Sequence, residues 1–165
     1  MLSLLLGACA PALNWREVRP EGAGLVVLFP CKPASHARSV ALAGASSRMT
    51  IHACRADDVV YAIGFAELGD PWRVTAALAQ LRAAALHNIA SAQPTESTPA
   101  AVVGMTPNDE SLRLRLTGRR PDGVTVHEQL TVFARGTRVY QASVIGARLD
   151  TSAAEWFFAN LKLSV

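Results

Sequence analysis

Apolar positions along this chain recur mostly with a period of two, and in two stretches with the period of a helix. Leu25-Val-Val-Leu-Phe29 is a short run of strand formers stopped by Pro30 and Pro33, the pattern of a buried strand. Ser39–Ala43 fits a second strand, and Gly44–Ser47 a turn. From Arg48 to Cys54 the residues alternate, with Met49, Ile51 and Ala53 on one face and Thr50, His52 and Cys54 on the other. Asp57-Asp58 marks the next turn. Val59–Leu68 then alternates with Tyr61, Ile63 and Phe65 on one face. At Asp70-Pro71 the period changes. Asp70 suits an N-cap and Pro71 the first helical position, and Val74, Leu78, Leu81, Ala85 and Ile89 follow at helical spacing. This predicts a helix from Pro71 to about Asn88.

Beyond the helix, the polar, proline-containing stretch Ser91–Pro99 reads as a loop and Val102-Val103 as a short strand. Leu112-Arg-Leu-Arg-Leu116 predicts a strand with leucines inward and arginines outward. Val124–Phe133 and Arg138–Gly146, joined at Arg135-Gly136, continue an antiparallel meander. A last helix opens at Asp150, where Ser152 and Glu155 have capping-box spacing. Phe157, Phe158 and Leu161 point inward from it, with Trp156 at the edge.

Strands, helix, strands, helix in that order predict an α+β fold. The expected architecture is an antiparallel sheet of about six to eight strands with one long central helix and a short C-terminal helix. Leu28-Phe-Pro-Cys-Lys-Pro33, the long helix after the first meander, and Ala153-Ala-Glu-Trp-Phe-Phe158 followed by Leu161-Lys-Leu163 together resemble the PsbP-like α/β sandwich. The resemblance spans most of residues 15–163 and carries no catalytic motif. It implies an accessory or binding role.

The chain opens Met1-Leu-Ser-Leu-Leu-Leu-Gly-Ala-Cys9. Leu6-Gly7-Ala8-Cys9 resembles the lipobox of bacterial lipoproteins, in which the cysteine thiol receives a diacylglycerol, the chain is cut before it, and the new amine is acylated. The resemblance implies a signal peptide over residues 1–8, shorter than a usual apolar core and lacking a preceding Lys or Arg, as in a truncated one. Residues 9–20 are then the lipidated cysteine and a short tether, and 21–165 a single α+β domain. Several acyl chains on one residue anchor a protein far more firmly than one. The expected location is the bacterial cell envelope, facing the periplasm. Ala10 in place of Asp resembles the outer-membrane default.

Composition changes this picture little. Half the residues are hydrophobic and the net charge is +3, carried by 14 arginines and two lysines. Guanidinium suits phosphate or carboxylate, but an Ala- and Arg-rich chain also reflects a GC-rich genome. Cys31 and Cys54 remain once Cys9 is set aside, and an even pair in an oxidising compartment reads as a disulfide. The alternative is a thiol at Cys54 beside His52.

No chemistry-bearing constellation stands out. His36, His52, His87 and His127 are scattered; His52 and His127 could meet across neighbouring strands, but surface or hydrogen-bonded histidines are the expectation. There is no Gly-x-Ser-x-Gly elbow and no glycine-rich phosphate loop, so the chain is read as having no catalytic residues, no metal and no cofactor. Arg113, Arg115, Arg119, Arg120 and Arg138 form a candidate patch for an anionic headgroup or acidic partner. Nucleic acid is not expected, because stacking aromatics are not interleaved with these arginines. Trp15, Trp72 and Trp156 either close the core or dock a partner. Two functions follow: a membrane-anchored, non-catalytic binding or accessory module of the envelope, or a small-ligand carrier or enzyme with a pocket between sheet and helix.

Overall fold

A computed structural model of the protein describes residues 13–164. The first strand, β1 (Arg16–Val18), lies in the stretch expected to be tether. It is held there by β2 (Leu25–Phe29). The Asn14 amide also donates to the Pro30 carbonyl at 2.9 Å, so the folded unit begins earlier than residue 21. The long meander comprises β3 (Ala34–Leu42), β4 (Ala45–Ala56) and β5 (Val59–Glu67). A single 3-10 turn, Pro71–Arg73, then leads into α1 (Val74–Asn88). As the pattern required, Asp70 accepts from the Trp72 amide, at 2.9 Å.

The second half contributes β6 (Glu96–Pro99), β7 (Leu112–Arg119), β8 (Thr125–Arg135), β9 (Arg138–Gly146), α2 (Thr151–Ala159) and β10 (Lys162–Leu163). Seven strands form one antiparallel sheet in the order β3-β4-β5-β9-β8-β7-β6, and three form a second in the order β1-β2-β10. The protein is therefore α+β and mostly β, with two sheets instead of one.

Side-chain size sorts the two faces of the large sheet. On β5, Tyr61, Ile63 and Phe65 pack with the small sheet and α2, whereas Ala66 on the alternate face packs with α1. Phe157 of α2 meets Phe29 at 5.6 Å and Tyr61 at 5.5 Å, both edge-on. Tyr140 stacks on Phe133 with centroids 4.9 Å apart, and its hydroxyl donates to the Ala23 carbonyl at 2.6 Å. The opposite core joins Leu78, Leu81 and Ala85 of α1 to Leu114, Leu116 and Leu130.

Five local expectations are corrected. Of the expected turn Gly44–Ser47 only Gly44 is turn; β4 starts at Ala45, and Ala45, Ser46 and Ser47 pair with Leu42, Ala41 and Val40. β3 begins at Ala34, well before Ser39, because register with β4 continues to Ala34 opposite Ala53 although the added residues are polar and mostly exposed. Residues 96–99 are an exposed edge strand, with Glu96 opposite Arg115 and Thr98 opposite Arg113. Pro99 ends it, a position where a missing N–H costs no ladder bond. Val102-Val103 is no strand; only Val103 bridges to Lys162. The last helix is capped by Asp150, whose carboxylate accepts from the Ala153 amide at 3.1 Å, and not by Ser152. Glu155, freed from the expected box, reaches Arg113 instead.

Cys31 and Cys54 are bonded, S–S 2.02 Å. The bridge links the end of β2 to β4 and so ties the small sheet to the large one. Closing a loop of this length stabilises a fold by roughly 3 kcal/mol in the chain-entropy model. Gly118 is a second fixed point. A Cβ there would lie 1.9 Å from the Ile89 carbonyl oxygen at the end of α1, and the neighbouring Arg119 amide donates to that oxygen at 2.6 Å.

Two stability outcomes follow. Gly118→Ala should cost about 3 kcal/mol or more by forcing α1 off the sheet, read as a lowered urea midpoint. Reduction of the disulfide should cost roughly 3 kcal/mol, with Cys31→Ala/Cys54→Ala giving a similar loss. A melting curve unmoved by Gly118→Ala would show that α1 is not seated on β7 as described.

Candidate functional site

The course of α1 creates a depression lined mainly by apolar side chains. Near its N-terminal end Arg73 donates to the carbonyls of Leu42, Ala43 and Leu68 and to the Ser47 hydroxyl, at 2.6, 3.2, 3.0 and 3.1 Å. Nearly two turns into the helix Gln80 clasps the same hairpin, its carbonyl accepting from the Ala43 amide at 2.8 Å and its amide donating to the Ala41 carbonyl at 2.9 Å. At the other end Ile89 rests on Gly118 of β7. The helix therefore runs from the β3–β4 turn diagonally across the sheet. A wedge opens between its C-terminal half and strands β3, β4 and β5.

That wedge is a groove of about 290 Å³. Its floor includes Met49 and Ile51 of β4, Ala62 and Gly64 of β5, and Gln141 and Ser143 of β9. Leu81, Ala84, Ala85 and Asn88, on one helix face, form a wall, and Arg38 and Val40 of β3 the far rim. Small residues at 62 and 64 leave the space, and Ile51 pairs across the strands with Gly64. Sequence reading supplied the strand face of Met49 and Ile51 and the helix period. It did not supply the diagonal course, which depends on Arg73 and Gln80 finding backbone carbonyls about 30 to 40 residues away.

The candidate arginines are dispersed and mostly paired. Arg113 and Arg115 do share a strand face. Arg113 donates to Gln129 at 2.8 Å and to Glu155 at 2.9 Å, with its guanidinium 4.4 Å from the centre of the Phe158 ring. Arg115 pairs with Glu96 at 3.1 Å and Glu155 at 3.3 Å. Arg120 pairs with Asp122 at 3.3 Å. Arg138 lies near the β8–β9 turn, pairing with Glu67 at 3.3 Å and donating to the Ala23 carbonyl at 3.3 Å. Of the five, Arg119 alone takes part in no ion pair among the described residues. Glu96 and Glu155 come from elements distant in sequence, so the strand pattern could not reveal that they neutralise the face.

The histidines do not converge. His52 on β4 and His127 on β8 are separated by β5 and β9; they contact Ser35 at 3.4 Å and Thr117 at 3.2 Å respectively. Burial lowers the His52 pKa. Among the described residues no three His, Cys, Asp or Glu side chains are placed to share a metal ion. Cys54 is in the disulfide, which overturns the alternative of a thiol beside His52. Trp15 packs edge-on to Tyr61 at 6.3 Å. Trp72 is 91% exposed and Trp156 52% exposed. Cys9 lies outside the described residues, and no described helix is long and apolar enough to cross a membrane.

One buried ionisable group was not singled out by the sequence. Glu128 is 6% exposed, between Leu116 of β7 and Ile145 of β9 on the helix-covered face. Burial raises its carboxyl to about 7. No protein-family model matches this chain, and no curated protein is significantly similar to it.

Glu128 makes stability pH-dependent with a definite sign. Its folded pKa is raised above the unfolded value, so the folded state holds the proton more tightly. Stability from this group is complete below about pH 4.5 and is lost as pH rises to about 7. The loss is on the order of 3 kcal/mol. Urea unfolding at pH 5 and pH 8 should show this fall, and Glu128→Gln should flatten it by raising stability at pH 8. An equal fall in the variant would assign the pH dependence to other groups.

Proposed function

We propose that this protein is a lipid-anchored, non-catalytic binding module of the bacterial cell envelope, and that the groove between α1 and strands β3–β5 is its binding site. The carrying observation is the groove itself: bounded, about 290 Å³, and closed at one end by the Arg73 and Gln80 clasps. Pockets of this kind are the usual location of small-ligand sites. Acylation at Cys9, an outer-membrane position facing the periplasm, and the PsbP-like likeness belong to the same proposal. The lipobox supports the first. The Cys31–Cys54 bridge suits an oxidising compartment. The order of meander, long helix, meander and terminal helix supports the last.

A second reading, an accessory module that docks an envelope protein, is favoured by Trp72, a large apolar side chain left 91% exposed. An anionic headgroup on Arg113 and Arg115 is less favoured, because Glu155 and Glu96 already occupy those guanidinium groups.

Mass spectrometry of the protein from its native membrane fraction tests the proposal. Denatured, it should begin at an acylated Cys9, with Cys31 and Cys54 open to alkylation only after reduction. Under native conditions it should carry a bound small-molecule mass that Ala84→Phe removes. An unprocessed chain with three alkylatable thiols overturns the envelope reading. The same bound mass on wild type and Ala84→Phe overturns the groove.

A further inference from the structure

The chemistry of the groove points to a ligand class, and this inference rests on the groove being the binding site. We infer that it holds a single-chain amphiphile with a carboxylate head, its hydrocarbon chain along Met49, Ile51, Leu81 and Ala85 and its head on Arg38. Four observations converge. The floor and helix wall are dominated by apolar side chains, which suits a ligand whose body is hydrocarbon. The volume, about 290 Å³, is at the bottom of the range for small-ligand pockets, which fits one chain and not a two-chain lipid. The Gln80 clasp ties the helix to the β3–β4 hairpin at one end, so the chain's tip meets a stop there.

The fourth observation is charge. Arg38 is exposed on the edge strand β3, opposite Met49. It takes part in none of the ion pairs among the described residues. No Asp or Glu lines the groove, so a carboxylate entering there meets one guanidinium and no opposing charge. That fork matches a carboxylate through two parallel hydrogen bonds. The remaining polar groups, including Gln141 and Ser143, are uncharged. They leave an anion at Arg38 unopposed.

The test uses the full chain carrying Cys9→Ser, with the disulfide oxidised, so that no detergent competes. Dansyl-labelled undecanoic acid is the fluorescent probe, and dodecanoate and dodecanol, matched in chain length, are the competitors. Dodecanoate should displace the probe at least tenfold more effectively than dodecanol. Arg38→Gln should erase that difference by weakening dodecanoate and not dodecanol. Ala84→Phe, at an exposed wall position, should abolish binding of both, with circular dichroism unchanged. Asn88→Trp on the same helix face is the second obstruction should Ala84→Phe misfold.

If the obstructed variants bind as wild type does, both the inference and the groove reading fall. If obstruction abolishes binding but dodecanoate and dodecanol compete equally, with Arg38→Gln silent, the groove stands and the anionic head is overturned. If neither competitor nor probe binds wild type, the amphiphile is overturned. The groove reading is then judged by the bound mass alone.

Discussion

The seating of α1 governs the rest of this molecule. Arg73 fixes the start of the helix to the β3–β4 turn through backbone carbonyls, and Gly118 lets its end settle on β7, where any side chain would collide with Ile89. These two contacts lie toward opposite edges of a seven-stranded sheet. A helix of 15 residues, about 1.5 Å per residue, cannot lie parallel to the strands and satisfy both. It crosses them, covers β7, β8 and β9, and leaves the β3–β5 side of its face bare. Only at its starting end is that side pulled over the helix.

The two faces of the sheet answer this arrangement differently. Toward the small sheet and α2, large aromatics fill the interior: Phe29, Tyr61, Phe133, Tyr140 and Phe157 are all buried. Toward α1 the residues nearest the bare side are small, Ala62 and Gly64. One side is thus a closed core, stapled by Cys31–Cys54, and the other a core with an opening. The disulfide ties the closed side to the small sheet, and among the described residues no such link crosses the open side.

How far all this was legible depends on what each element's residues had to say locally. β2, β9 and the C-terminal end of α1 were read to the residue, since their periodicity and stop signals are intrinsic to the segment; the first three residues of the expected helix, Pro71–Arg73, form a 3-10 turn instead. The first residues of β3 and the whole of β6 were missed because they are edge strands with exposed polar side chains; pairing, not pattern, makes them strands. The terminal helix was placed correctly but its cap was not. Asp150, Ser152 and Glu155 all suit a helix start, and only the position of Arg113 and Arg115 decides that Glu155 turns outward. The arginine face was read from alternation alone, which says where a side chain points and nothing of the carboxylate that awaits it. The groove and Glu128 needed tertiary knowledge throughout: a helix path, and the two strands on either side of one acid.

The small sheet places β2 between the first strand and the last, β1-β2-β10. Leu25 and Val26 find their partners in Leu163 and Lys162, so an apolar strand made early has an unfilled edge until nearly the whole chain exists. At the pace of synthesis this is a wait of order ten seconds. During it, Leu25–Phe29 is a sticky, strand-forming segment with no completed layer to enter. The flanking Pro20, Pro30 and Pro33 then act as brakes, since proline cannot extend a β-pairing into neighbouring chains. The outer layer cannot be complete until β10, the last strand of the chain, has paired with β2.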